Sequence, residues 1–212
     1  MSVSDSFLEL IRRIQPTASQ QTSARQHVAS VRTRLETVFE MYDCKITGSF
    51  NRDSSIRGSS DIDLFAGFRK KNFTWGGSIV SSASALESVR QQLLARFPST
   101  TLGKDGMAIT VKFSDGQVVD VVPALFNELF QDNWPTYLIP DGVGGWMSTC
   151  PSLYDAYIKQ ADGQSGGKLK YTAQLIKFWR ECRVNSIPLS SFHIEMILAL
   201  ATSGSPQECS LL

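Results

Sequence analysis

The sequence predicts an α+β fold, a small mixed β-sheet with a helical second lobe. Three observations carry this: apolar residues recurring at three and four positions over several long segments, two β-branched runs joined by an Asp-Gly step, and a second half dominated by helical spacing. Ser4 to Ile14 is the first helix, with Phe7, Leu8, Ile11 and Ile14 on one side behind a Ser/Asp cap and Pro16 closing it. A long helix over about Ser19 to Tyr42 carries a stripe of Val28, Val31, Leu35, Val38 and Phe39. Lys45 to Thr47 and Ile62 to Phe65 are short strands separated by a loop rich in Gly, Asn, Asp and Ser. Ser82 to Phe97 is helical through Leu86, Val89, Leu93 and Phe97, and stops at Pro98. Ile109 to Phe113 and Gln117 to Val122 form a hairpin around Ser114-Asp115-Gly116. Beyond Pro123 the chain reads as irregular, because Pro135, Pro140, Asp141-Gly142 and Gly144-Gly145 interrupt any pattern. Helices follow over Ser152 to Asp162, Lys168 to Val184 and Pro188 to Ala201, with Gly163 to Gly167 as a flexible joint. The expected division is a first lobe over 1–135 and a helical lobe over 136–212, with no internal repeat.

The composition is that of a folded protein: 212 residues, 42% hydrophobic and 19% charged, enough to fill a core and incompatible with disorder of the whole chain. A net charge of +1 sets up no long-range field for nucleic acid or an acidic membrane, so any polyanion must be held by a local cluster. Cys44, Cys150, Cys182 and Cys209 are far apart, without a C-x-x-C pair and with only His27 and His193 as nitrogen donors, and read as buried inert thiols. The start has no basic n-region before an apolar stretch, and no run of some 18 apolar residues occurs, so the expectation is a soluble, cytoplasmic protein.

The chemistry concentrates between Gly48 and Phe65. On a strand, residues two apart share a face, so Asp61 and Asp63 present their carboxylates side by side while Ile62 and Leu64 turn to the core. Two such carboxylates repel, an arrangement made tolerable by a hard divalent cation between them, and this predicts magnesium. Gly48-Ser49 opens a small-residue loop in which backbone N–H groups and a hydroxyl can approach phosphate oxygens. A third carboxylate, Asp120, sits on a separate strand flanked by four valines, where an acid is costly to bury unless it is paired or metal-bound. Three carboxylates on adjacent strands beside a Gly-Ser loop are the parts needed for two-metal nucleotidyl transfer.

Gly-Ser, a loop, Asp-x-Asp on a strand and a later strand Asp resemble the signature of the polymerase-β-like nucleotidyltransferases. The longer wording from Gly48-Ser49 through Ile56-Arg57-Gly58-Ser59-Ser60-Asp61-Ile62-Asp63-Leu64-Phe65, with Val119 to Ala124, is similar to the branch of oligoadenylate synthetases and bacterial cGAS/DncV-like nucleotidyltransferases. The resemblance runs on through Lys168-Leu169, Leu175 to Trp179 and Ile187 to Glu195, more loosely, and covers roughly Lys45 to Ala201. It implies a polymerase-β-like core in which Asp61, Asp63 and Asp120 bind two Mg²⁺ ions, with Mn²⁺ an alternative. It further implies that Gly48 and Ser49 hold the triphosphate of a nucleoside triphosphate, that Lys177 neutralises the outer phosphates and that Ser191 contacts phosphate or base. Asp120 is then the acceptor of the attacking hydroxyl's proton. Members of the branch usually run longer, so the resemblance also implies a fragment or a minimal member, with the apolar face of Ile194, Ile197, Leu198 and Leu200 awaiting a partner. It carries no Cys/His cluster of the kind the animal DNA sensors insert, which argues against activation by DNA.

Other readings stand beside these. Lys177 is also placed as a solvated or snorkelling lysine of an amphipathic helix, with Lys168 and Lys170 as substitutes. Ser190 and Ser191 are equally suited to capping the last helix. Arg69-Lys70-Lys71 reads as an exposed turn and His193 as a packed or surface side chain, while Tyr171, Phe192 and Tyr154 are open candidates for base stacking. Asp141 to Gly145 lacks the Lys-Ser/Thr of a phosphate loop. Three functions follow: synthesis of a cyclic or linear oligonucleotide signal in anti-phage defence, nucleotide addition to RNA ends, or nucleotide binding without turnover.

Overall fold

The computed structural model describes residues 3–58, 61–183 and 187–203. They fall into two compact units that interleave along the chain. A sheet unit takes Ser19–Thr47 and Asp61–Ser152, and a helical unit takes the described residues of Met1–Ala18, Gly48–Ser60 and Leu153–Leu212.

The sheet unit begins with most of helix α2 (Ala18–Val38), then β1 (Met41–Ile46) and β2 (Ile62–Phe68). A 3-10 turn (Lys70–Phe73) leads to the small hairpin β3 (Thr74–Trp75) and β4 (Ser78–Ile79), and α4 (Ser82–Arg96) follows. Strands β5 (Thr101–Asp105), β6 (Ala108–Lys112), β7 (Val118–Phe130), β8 (Trp134–Pro140) and β9 (Trp146–Thr149) complete it. The main sheet is mixed, in the order β1-β2-β7-β6-β5, with β8 added along the far half of β7 and β9 beside β8. Among the described strands only β2 and β7 run parallel, with Ile62 opposite Val119 and Phe68 opposite Leu125. One face of these strands is wholly apolar: Ile62, Leu64, Ile109, Val111, Val119 and Val121 are buried there, and α4 lies over β6, β7 and β8. Burying a side chain such as Leu64 stabilises the fold by roughly 2 kcal/mol. Arg34 of α2 donates to the backbone and side chain of Gln92 and so ties the two helices together.

The expected hairpin is present, closed by Phe113 N–H to Gln117 C=O and Gly116 N–H to Phe113 C=O. Several expectations are corrected. The long helix ends at Val38, and Tyr42 belongs to a strand, where its ring stacks on Phe126 at 3.9 Å. The stretch after Pro123 is not irregular: β7 continues to Phe130 and pairs with β8, whose Pro135 is accommodated opposite Leu129 beyond a register shift at Phe126/Glu128. The expected lobe boundary at 135/136 therefore falls inside β8, because cross-strand pairing and not the local Pro/Gly content decides where the sheet ends. Gly67 is glycine for a steric reason, since a Cβ there would run into the Asp43 carboxylate.

In the helical unit, α1 (Val3–Ile14) packs on α6 (Lys168–Glu181), and α7 (Ser191–Ser203) packs on both α6 and the single-turn α3 (Gly48–Asn51). With α5 (Pro151–Gln164) they close over Ile158, Ala161, Leu169 and Ala199. Of the cysteines, Cys150 is buried, but Cys44 is half-buried and Cys182 is exposed where α6 ends, which corrects the expectation of buried thiols; Cys209 lies outside the described residues. Burial pushes the Cys44 thiol up to about 11, against the opposing charge of Arg32. Among the described residues no helix is long and apolar enough to cross a membrane.

Candidate functional site

Asp63 and Asp120 are direct Cα partners on the parallel pair β2 and β7, so alternation puts both side chains on the sheet face opposite the valine-rich core. Both are half-buried, and Asp61 is exposed immediately before β2. Thr110 of β6 continues the row beyond Asp120, and one row along Lys45 stands beside Phe65. Lys45 is held by Asp43 at 3.0 Å and by Ser152 Oγ at 2.9 Å, with Tyr137 donating its hydroxyl to the same Asp43 carboxylate at 2.7 Å. Burial and that carboxylate push the Tyr137 phenol far above its ordinary range, so it is a fixed donor.

Two aspartates in register on neighbouring strands are hard oxygen donors of the type Mg²⁺ and Mn²⁺ take. Magnesium is commonly bound through one or two carboxylates with substrate phosphates and water completing its shell. The donor set of Asp63, Asp120 and the adjacent Asp61 fits such an ion. Among the described residues no three His, Cys, Asp or Glu side chains stand together as a ready cation cage.

The Gly-Ser segment belongs to the helical unit. Gly48 has φ +67°, a conformation costly for a residue with a side chain, and Ser49 is buried at the start of α3. The loop that follows is bonded almost carbonyl by carbonyl. Ser49 C=O accepts from Ser54 N–H at 3.0 Å; Asp53 C=O and Ser55 C=O each accept from Gln174 Nε2 at 3.1 Å; Ser54 C=O accepts from Lys177 Nζ at 3.0 Å.

Lys177 is 0% exposed, which overturns its reading as a solvated or snorkelling lysine. Its ammonium donates to Glu195, to Ser54 C=O and to Ser54 Oγ, so in this structure all three of its hydrogens have protein acceptors. Lys168 is exposed and Lys170 half-buried at the head of the same helix. Ser191 opens α7 half-buried, and the cap is Ser190, whose hydroxyl accepts from His193 N–H at 3.2 Å. Glu195 is also 0% exposed: Lys177, Ser54 Oγ (2.7 Å) and Arg52 Nε all donate to it. Arg52 bonds Asp155 as well, and Asn51 reaches the other oxygen of Asp155 at 2.8 Å. Burial alone would raise the Glu195 carboxyl, but the flanking Lys177 and Arg52 outweigh it and hold the group below its ordinary value. A cavity of about 20 Å³ beside Arg52, Ser54 and Glu195 has room for one water and no nucleotide. Sequence reading missed Arg52, Ser54, Asp155 and Glu195. The available signals were a lone acid in the apolar run Phe192–Leu200 and a lysine between Ile176 and Phe178.

Elsewhere, Arg69 and Lys71 are exposed as expected, with Lys71 paired to Glu40, while Lys70 is half-buried and bonded to Asn127 at 2.7 Å. Asp141 folds its own loop by accepting from Val143 N–H at 2.9 Å and Gly145 N–H at 2.8 Å, which occupies the amides a phosphate loop would offer.

This architecture is the fold seen in solved cyclic dinucleotide synthases and other CD-NTases. The structure of Elizabethkingia meningoseptica CdnE cyclic dinucleotide synthase with GTP and Apcpp superposes at a TM-score of 0.74 over 94% of this chain and 75% of that one, at 15% identity. Within that class, the chain belongs to the Second Messenger Oligonucleotide or Dinucleotide Synthetase (SMODS) domain family, whose family model matches residues 1–162. It is 24% identical over 177 residues to a probable cyclic nucleotide synthase of Bacillus cereus, covering 71% of this chain and 53% of that protein. It is 21% identical over 213 residues to the cyclic AMP-AMP-AMP synthase of an Acinetobacter species, covering 94% of this chain and 58% of that protein. The chain thus spans little more than half the length of these two relatives.

Proposed function

We propose that this chain joins nucleoside triphosphates into a cyclic or linear oligonucleotide second messenger, releasing pyrophosphate, in bacterial defence against phage. The observation that carries the reading is the register of Asp63 with Asp120 on the parallel strand pair; the names of the two relatives support the product class. In the reaction, a ribose hydroxyl oxygen forms a bond to the α-phosphorus of a second nucleotide, the bond from that phosphorus to the β-phosphate oxygen breaks, and pyrophosphate leaves. Asp120 takes the hydroxyl proton. Gly48 and Ser49 receive the triphosphate through backbone N–H groups and the Ser49 hydroxyl, and Ser191 contributes a further hydroxyl to phosphate or base. Two divalent ions, Mg²⁺ or Mn²⁺, when bound by Asp61, Asp63 and Asp120, supply positive charge against the attacking and leaving oxygens.

The test is to incubate the chain with labelled ATP, GTP, CTP and UTP and Mg²⁺ or Mn²⁺, with and without RNA, and to resolve the products after phosphatase treatment. The expected result is an RNA-independent oligonucleotide, phosphatase-resistant if it is cyclic. Label appearing only on RNA ends would replace the reading with RNA extension, and nucleotide binding without product would replace it with a regulator.

A further inference from the structure

The loop between Gly48 and Ser55 is held more firmly than a surface loop needs to be. Asp53 sits at φ +54°, a left-handed conformation that a non-glycine residue keeps only when its surroundings fix it. The fixing groups come from α5, α6 and α7. Asp155 of α5 binds Asn51 and Arg52, Gln174 and Lys177 of α6 bind three loop carbonyls, and Glu195 of α7 binds Arg52 and Ser54. Gln15, just past α1, braces Gln174 at 3.1 Å. Glu195 is the member on which these contacts converge. One oxygen takes Lys177 and Ser54 Oγ and the other takes Arg52, while the Ser54 N–H holds the Ser49 carbonyl at 3.0 Å. Through Ser54, two hydrogen bonds connect the buried carboxylate to the backbone of Ser49.

From this geometry we propose that Glu195 is a positioning residue, which through Ser54, Arg52 and Lys177 locks the backbone of Ser49 into the one conformation that receives the triphosphate. The inference rests on the reading of Gly48-Ser49 as the triphosphate loop. Lys177 then serves the phosphates indirectly, as the cation that keeps Glu195 ionised and Ser54 in place. A clamp that acts on substrate placement alone changes KM and leaves kcat near its parent value.

Two variants of the 212-residue chain test this. Ser54→Ala removes the direct hydroxyl link between Glu195 and the loop but leaves the backbone bonds of Ser54 and the buried ion pairs; Glu195→Gln removes the central charge and is measured at a temperature where circular dichroism shows it folded. Two readouts are taken: amide hydrogen exchange across residues 49–55 and steady-state kinetics with nucleoside triphosphates. Exchange of the Ser54 amide is expected to rise about tenfold in both variants, with KM about tenfold higher and kcat within about twofold. Glu181→Gln, on the exposed side of α6, is the control that leaves both unchanged. Parent-like exchange in folded Ser54→Ala overturns the clamp. Faster exchange with an unchanged KM overturns its positioning role and leaves a purely structural one. If the parent chain itself turns over no nucleotide, the proposed function fails, and the exchange data still decide whether Glu195 controls the loop.

Discussion

Two clusters of ionisable residues in this molecule are built on opposite rules. In the sheet unit, Asp63 and Asp120 set like charges next to one another on adjacent strands, half-buried, with exposed Asp61 just upstream. In the helical unit, two cations, Arg52 and Lys177, are interleaved with two carboxylates, Asp155 and Glu195, and the centre of the group is sealed from solvent. Adjacent like charges weaken a sheet, whereas a balanced buried network costs most when one member is taken away. Charge arrangement therefore separates a cluster suited to a ligand from one that is complete within the protein. The distinction can be broken by experiment, since the two clusters should fail in different observables.

The largest expected effect is on turnover. Asp63→Ala removes one of the two in-register donors and should lower oligonucleotide synthesis on the order of 10⁴-fold, about 5 kcal/mol of barrier, while the circular dichroism spectrum stays that of the parent. Pyrophosphate release under saturating Mg²⁺ measures it. A variant that keeps a tenth of the parent rate would show that the register pair is not the reacting site.

Stability should respond the other way round. Glu195→Ala leaves Arg52 and Lys177 buried without their shared carboxylate and should cost about 3–5 kcal/mol in urea unfolding at pH 7. Asp63→Asn, which relieves a like-charge neighbour, should change stability by less than about 1 kcal/mol. If the two values came out in the reverse order, the contrast between the clusters would be void.

These clusters also differed in how far the sequence disclosed them. The alternation around Asp63 and Asp120 was legible because it is local: Ile62 and Leu64 on one strand, and Val119 and Val121 on the other, fix which face each carboxylate takes on its own strand, whereas Asp61 lies just outside β2 and is not placed by that alternation. The pairing partners were not local. Strands β5, β8 and β9 carry weak or Pro-interrupted patterns and exist because β6, β7 and β8 respectively offer edges to them. The division into units was hidden for the same reason, since the helical unit is assembled from three separated segments. Glu195 and Arg52 lie 143 positions apart, and Glu195 and Ser54 141 apart, so nothing near either residue announces the bond. Lys177 carried a phosphate role by resemblance, and only the packing of α6, where Leu169, Ala173 and Lys177 share a buried stripe, reveals that its ammonium is already occupied.

A third cluster, at the surface, sharpens the comparison by being small. Asp115 accepts from Ser23 Oγ at 2.6 Å and from Gln117 N–H at 3.1 Å, and meets His27 Nε2 at 2.8 Å, with the imidazole stacked on Phe113 at 3.8 Å. The hydrogen bond from Ser23 is the main cause, with the His27 and Gln117 contacts adding to it, that draws the carboxyl down to about 2. A group whose folded value lies below its unfolded one stabilises the protein above the unfolded value, near 4, and loses that contribution as pH falls towards 2. Because the Asp115 side chain is 39% exposed, solvent screening limits the contribution to at most about 1 kcal/mol. The difference in urea stability between the parent and Asp115→Asn should thus be flat from pH 6 to about 4 and vanish near pH 2. Raising the ionic strength at pH 6 should shrink it, while the deficit of Glu195→Ala stays, since salt screens exposed charges far more than buried ones. A salt-insensitive Asp115 difference would mean that its neutral hydrogen bonds, and not its charge, hold the turn.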